Sequence, residues 1–173
     1  MLATLKNRVN WPTLLSLTLL VLLPLIFLWR VVFLGHILLS LDLLFSYEPW
    51  RSEIPGAAAV PLWNERMADS VRTFFPLAQF ISDSWRQGVP PFWYPYASNG
   101  WPLLGASFFQ AFYPINLIFW LLMPVPQAFG WSAIFHLIAG SLGMYFFCRE
   151  LKMGNFGRIV ATVAYIYSSS TTH

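Results

Sequence analysis

The chain has 173 residues, of which 57% are hydrophobic, 18% aromatic and 10% charged, with mean hydropathy +0.58. Soluble domains carry about 25% charged residues, so this composition excludes an ordinary soluble globular fold and predicts an integral membrane protein. The net charge of +3 comes from ten scattered Lys and Arg with no basic stripe or RNA-binding motif, which argues against a nucleic-acid partner.

Lys6 and Arg8 precede an uncharged apolar stretch. About 20 such residues span a bilayer, and a first transmembrane helix is predicted over 12–30. Pro12 suits its first turn, Pro24 kinks it, and Trp29 and Arg30 sit at the far interface. No Ala-x-Ala follows directly, so it reads as an uncleaved signal anchor. Residues 31–41, with Gly35 and His36, read as an interfacial extension.

At Asp42 the chain changes character. Six of its seven carboxylates fall between positions 42 and 104, amid abundant Pro, Trp and Tyr, and 42–102 reads as one large loop. Within it Val71, Phe74, Leu77, Ala78, Ile81 and Trp85 recur at helical spacing, with Arg72, Gln79, Asp83 and Arg86 elsewhere on the wheel. The pattern predicts an amphipathic helix near 70–87 lying on the bilayer, with Asp69 on its leading turn and Gly88 and Pro90-Pro91 at its end.

Residues 103–124 are apolar but interrupted by Gln110, Pro114 and Asn116, and read as either a juxtamembrane or a second transmembrane helix. A cleaner transmembrane helix is predicted over 130–148. Cys148, the one cysteine, lies in this apolar sequence and reads as a small buried hydrophobe. Residues 158–173 open a further helix with about half the apolar length of a span, so the chain is expected to be the N-terminal part of a longer protein.

The positive-inside rule places Lys6 and Arg8 in the cytoplasm. The 42–102 loop, with four Arg against six acids, is then external, and Arg149, Lys152 and Arg158 return to the cytoplasm. The expected fold is an all-α polytopic membrane protein whose large external first loop holds juxtamembrane amphipathic helices.

Asp69 is the leading candidate for chemistry, because a carboxylate beside a low-dielectric surface can take a proton from an attacking hydroxyl or amide. The plainer alternative is a helix N-cap, in which the same carboxylate accepts backbone N–H bonds. Arg72 can keep an acid ionised or hold a phosphate. Asp42 can share the site, position an acceptor or bind a divalent cation, or be a solvated loop residue. Trp93, Tyr94, Tyr96 and Asn99 belong to a ring- and amide-rich cluster suited to a sugar groove and equally to an interfacial belt. Gln110, Tyr113 and Asn116 are polar groups in apolar sequence, lining a cavity or bridging helices. His136 stands alone and reads as a helix-packing residue. No nucleotide-binding loop, metal-ligand spacing or nucleophile elbow is present, so no cofactor or metal is evident.

The motifs come in a set order. It begins with Asp42-Leu43-Leu44, then Asp69 followed by Phe75-Pro76, then Ser84-Trp85-Arg86-Gln87-Gly88-Val89-Pro90-Pro91-Phe92-Trp93-Tyr94-Pro95-Tyr96. It continues through Asn99-Gly100-Trp101-Pro102-Leu103-Leu104, Phe112-Tyr113-Pro114-Ile115-Asn116, and Gly143-Met144-Tyr145 before Arg149-Glu150-Leu151. This ordered set resembles the YfhO family of bacterial membrane proteins. Tyr94, Asn99 and Leu77 depart from that family's usual Asn, Gly and Trp.

The family is similar to the GT-C glycosyltransferases. That resemblance implies GT-C-like transmembrane helices in a bacterial cell membrane and Asp69 as catalytic base. It further implies transfer of a sugar from a polyprenyl-phosphate carrier to an envelope polymer, lipid or protein on the outer face. The alternative is a non-catalytic membrane protein, a transport or envelope-glycan-binding component.

Overall fold

Apolar sequence punctuated by proline and glycine folds here into helices whose ends fall at those residues. The computed structural model describes residues 11–61, 65–97, 99–105 and 110–168. Lys6 and Arg8, residues 106–109 of the 103–124 segment, and 169–173 lie outside the described residues. The chain is mostly helical and divides into two compact units, one of 1–33 with 133–173 and one of 34–132.

In the first unit, α1 covers Trp11–Phe27 and α2 Trp29–Leu34. The helix expected over 12–30 is thus interrupted at Leu28, where the Val31 amide bonds the Leu28 carbonyl in a tightened turn. It then continues past residue 30, because nothing in Val31–Leu34 breaks a helix before Gly35, which has φ +64. Ser16, Leu20 and Pro24 form its buried stripe, and α1 packs on α7, Asn155–Ile166. Asn155 Nδ2 donates to Ser16 Oγ at 2.7 Å, and Tyr145 Oη donates to Asn155 Oδ1 at 2.7 Å, so one amide ties α1 to the end of α6. Here α7 begins three residues before the expected position 158, after the extended backbone of Gly154. Cys148 is buried, as its apolar surroundings suggest.

Helix α6, Val125–Glu150, is longer than the 130–148 expected. Pro126 is tolerated in its first turn, where the missing N–H would have no helical partner. At about 1.5 Å per residue its 26 residues extend about 39 Å, more than a bilayer core of about 30 Å. Among the described residues it is the one helix long and apolar enough to cross a membrane; α1 is apolar but shorter, at 17 residues.

The second unit is organised around α4, Phe75–Arg86. Leu77, Ala78 and Ile81 of this helix are buried with Trp120 of α5 (Pro114–Leu122), Val125 and Ala128 of α6, and Tyr94, Leu103 and Ala111. The apolar face expected to lie on a bilayer is therefore covered by the chain's own helix and loop. A short helix α3, Trp50–Glu53, and a 3₁₀ turn, Leu41–Ser46, precede it. Two-residue strands β1, Trp93–Tyr94, and β2, Trp101–Pro102, pair antiparallel, an addition to the all-helical expectation.

Helix α5 is shorter than the 103–124 segment that contains it. Its nine residues extend about 13 Å, short of a crossing. Pro114 starts it, and Met123, ahead of Pro124, is driven to extended backbone (φ −142, ψ 168). Arg86, expected on the outer face of α4, instead closes this helix end. Its Nη2 donates to the Trp120 carbonyl at 2.9 Å and the Met123 carbonyl at 3.3 Å, while Ser82 Oγ donates to Trp120 at 2.8 Å. A cation at a helix C-terminus complements both the free carbonyls and the helix dipole.

Candidate functional site

Three groups of the expected residues are arranged along α4, all within the second unit. The first surrounds Asp69. Residues 68–69 are already helical, and a π turn, Ser70–Phe74, leads into α4. The cause is Pro76: it lacks the N–H for a regular i→i−4 bond, and its ring would crowd the carbonyl of Arg72. The chain relieves this by widening one turn, and the Phe75 amide bonds the Ser70 carbonyl, five residues back.

A capping Asp has extended backbone angles that swing its carboxylate towards the next amides. Asp69 has φ −64 and ψ −28, within the helical region, and makes no capping hydrogen bond. Its carboxylate is solvent-exposed. Arg72 lays its guanidinium over the Tyr47 ring, 4.2 Å from the centroid. This cation–π contact holds the guanidinium by electrostatic attraction to the ring face. Tyr47 directly follows the turn that carries Asp42, and that turn packs against the π turn, each contributing a buried aliphatic, Leu43 and Val71. Asp42, half-buried, is thus on a turn that adjoins the one carrying Arg72. Among the described residues, no three His, Cys, Asp or Glu side chains converge in a metal-binding arrangement.

The second group is the aromatic hairpin. Gly88, with φ +74, reverses the chain after α4: Val89 bonds the Ser84 carbonyl at 2.9 Å and Gly88 the Trp85 carbonyl at 3.0 Å, a Schellman arrangement. Pro90-Pro91 then stiffens the return. Trp93 pairs with Pro102 and Tyr94 with Trp101, and Asn99 and Gly100 make the turn at φ 62 and 101. Phe80, Tyr94 and Tyr96 form a ring cluster with edge-to-face contacts at centroid separations of 5.1 to 5.8 Å. Tyr94 is buried, which raises its phenol above the usual tyrosine value, with the neighbouring Tyr96 adding to the shift. Tyr96, by contrast, is 76% exposed.

These rings line an open cleft of about 640 Å³ together with Phe75, Pro76, Gln79, Asp83 and Ser84 of α4 and Gln87 just past its end. Trp93 and Asn99 do not line it; the Trp93 ring instead lies against Gly100. Gln79 Nε2 donates to both Asp83 carboxylate oxygens, at 3.0 and 3.1 Å. Asp83 and Gln79 were placed by sequence only as an outer helix face. The signal that distinguishes them is an i,i+4 amide–carboxylate pair beside a Gly-x-Pro-Pro reversal that folds tyrosines back over the helix.

The third group is a polar chain within apolar walls. Ser132 Oγ donates to Asn116 Oδ1, and Asn116 Nδ2 donates to Gln110 Oε1, linking the loop before α5, α5 itself and the start of α6. These three residues border a cavity of about 240 Å³ lined also by Phe74, Leu77, Trp120 and Phe129. Gln110 and Asn116 therefore both line a cavity and bridge elements. Gln110 has φ 57, a left-handed backbone sparsely used outside glycine. Tyr113 stands at the N-cap of α5 and bonds the Gln110 carbonyl through its amide at 3.0 Å.

Asp69 and the ring cluster do not meet. Phe80 lies eleven positions after Asp69, about 16 Å of helix at about 1.5 Å each. Compared with protein-family models, curated proteins and solved structures, the chain matches none.

Proposed function

We propose that this chain is the N-terminal part of a polytopic bacterial membrane protein of glycosyltransferase type, similar to the YfhO family. In this reading α1 and α6 are membrane-spanning, the N-terminus is cytoplasmic, and the 42–102 region faces outward. The protein moves a sugar from a polyprenyl-phosphate carrier to an envelope polymer, lipid or protein. The observation that carries the reading is the state of Asp69: exposed, in helical backbone and without the capping bond that would account for it structurally.

The chemistry follows from the neighbourhood of Asp69. Its carboxylate accepts the proton of an acceptor hydroxyl as that oxygen bonds the anomeric carbon. The bond from that carbon to the phosphate oxygen breaks, and polyprenyl phosphate leaves with the electron pair. Arg72, held on Tyr47, offers charge-assisted bonds to that phosphate. Asp42, on the adjoining turn, positions the acceptor.

The test compares wild type with Asp69→Asn in cells lacking the endogenous protein, at matched membrane abundance. Loss of the envelope glycan with normal abundance is expected; full glycosylation by the variant would remove Asp69 from the reaction. A second reading, a non-catalytic glycan-binding membrane protein, is favoured by the distance of the ring cluster from Asp69. It predicts sensitivity to Tyr96→Ala and indifference to Asp69→Asn.

A further inference from the structure

We infer that the cleft between α4 and the aromatic hairpin is a binding site for an uncharged, hydroxyl-rich saccharide, separate from Asp69. Its volume of about 640 Å³ is that of an ordinary small-ligand site, typically about 300–1,000 Å³. Two kinds of surface line it. Tyr96 presents a ring that is 76% exposed yet braced edge-to-face by Phe80 and Tyr94. A braced exposed ring offers the C–H face of a pyranose an apolar platform at little entropic cost. Gln79, Asp83 and Ser84 of α4, with Gln87 just past its end, supply donors and acceptors.

The charge of the lining selects the ligand. Among the described residues, no Lys, Arg or His lines the cleft, and Asp83 is the single charged group there. The nearby Arg86 is engaged elsewhere, on the carbonyls that end α5. A phosphorylated or carboxylated ligand would therefore meet only a like charge. Asp83 is itself held in place: Gln79 supplies one amide to both of its oxygens, and the remaining lone pairs of the carboxylate are free to accept from vicinal hydroxyls. Tyr94, buried at the back of the cleft, steadies Tyr96 without being exposed itself.

The consequence for function rests on the glycosyltransferase reading. The cleft begins at Phe75 and Pro76, and its ring-lined end at Phe80 holds an acceptor saccharide about 16 Å of helix away from the reacting end at Asp69. It binds acceptor units remote from the transfer point, and the carrier phosphate lies outside it, near Arg72. Remote contacts of this kind hold the reacting group in register without taking part in bond-making.

The experiment is a binding titration of the detergent-purified full-length protein with chitopentaose, an uncharged oligosaccharide, and with pentagalacturonate, an anionic one. Chitopentaose is expected to bind, with pentagalacturonate at least tenfold weaker. Tyr96→Ala should weaken chitopentaose binding roughly tenfold, the scale of one lost aromatic contact. Asp83→Asn should reduce the discrimination against pentagalacturonate. Both side chains are exposed, so neither change removes core packing. The inference is overturned if neither oligosaccharide binds, if the anionic one binds as well as the uncharged one, or if both variants bind like wild type. Asp69→Asn separates the two ideas. Normal binding with transfer still intact in that variant removes Asp69 from the reaction and leaves the cleft standing. Transfer that depends on Asp69, with binding indifferent to Tyr96 and Asp83, does the reverse.

Discussion

The hairpin that carries the tyrosines depends on one glycine, and Gly100→Ala is the sharpest test of that dependence. Two effects combine at this position. Gly100 has φ +101, a backbone region that L side chains rarely adopt, and holding such a residue there costs about 1–3 kcal/mol. In addition, a Cβ would stand 2.4 Å from the Cε2, Cζ2 and Nε1 atoms of Trp93. That overlap is relieved by rotating the half-exposed indole away, so most of the lasting penalty is backbone strain. The entropy that alanine removes from the unfolded chain offsets part of it, about 0.4–1 kcal/mol. The net expectation is a loss of about 1–2 kcal/mol, which multiplies local opening of the hairpin about five- to thirtyfold.

The assay is hydrogen–deuterium exchange on peptides covering 90–104. The Leu103 amide, which bonds the Phe92 carbonyl at 2.8 Å, should exchange faster by that factor. The control is Gly105→Ala, where, among the described residues, the added Cβ meets only the Pro102 carbonyl oxygen at 3.8 Å and no positive φ is involved. Unchanged protection in Gly100→Ala, or equal loss in both variants, would refute the account of the turn.

Other consequences are open to measurement. Arg86→Met should lower thermal stability by about 1–2 kcal/mol, the low end for charge-assisted bonds because the guanidinium remains exposed. Arg86→Lys should restore only part of it, since a point charge cannot reach both carbonyls as the planar fork does. The raised pKa of Tyr94 has a signed effect on stability. Below the usual tyrosine value of 10.0 the phenol is protonated in both states and the shift changes nothing. Above it the unfolded chain releases its proton first, so the hairpin should weaken as pH rises past 10.0. Absorbance at 295 nm should show one late-titrating phenol that is missing in Tyr94→Phe, and an identical titration in that variant would remove the burial argument.

Much of the fold was legible in the residues because it depends on local rules. Proline and glycine mark several of the helix ends: Gly88 after α4, Pro114 before α5, Pro124 before α6. The apolar content of α6 sets its length against a bilayer without any knowledge of its neighbours. The aliphatic stripe Leu77, Ala78 and Ile81 is visible as a period of 3.6 residues, but its partner is not. A stripe looks the same whether it faces lipid or Trp120, and only the tertiary fold decides for the latter.

The site divides along the same line. Asp69, Arg72, Tyr94, Tyr96, Gln110 and Asn116 could be named from residue type and context, since an acid, a ring or an amide in apolar surroundings stands out alone. Which of them meet is a matter of long-range contact. The fold joins Arg72 to Tyr47, Asn116 to Gln110 and Ser132, and Tyr96 to Phe80, while keeping Asp69 apart from the rings. Sequence by itself determined the hydrophobic character, the helix ends and the chemical types, because these are properties of single residues and their near neighbours. Only the tertiary structure decided the capping role of Arg86 and the cleft over Asp83. Each needs residues brought together by reversals at Gly88 and Pro114, whose spatial outcome is set by packing and not by pattern.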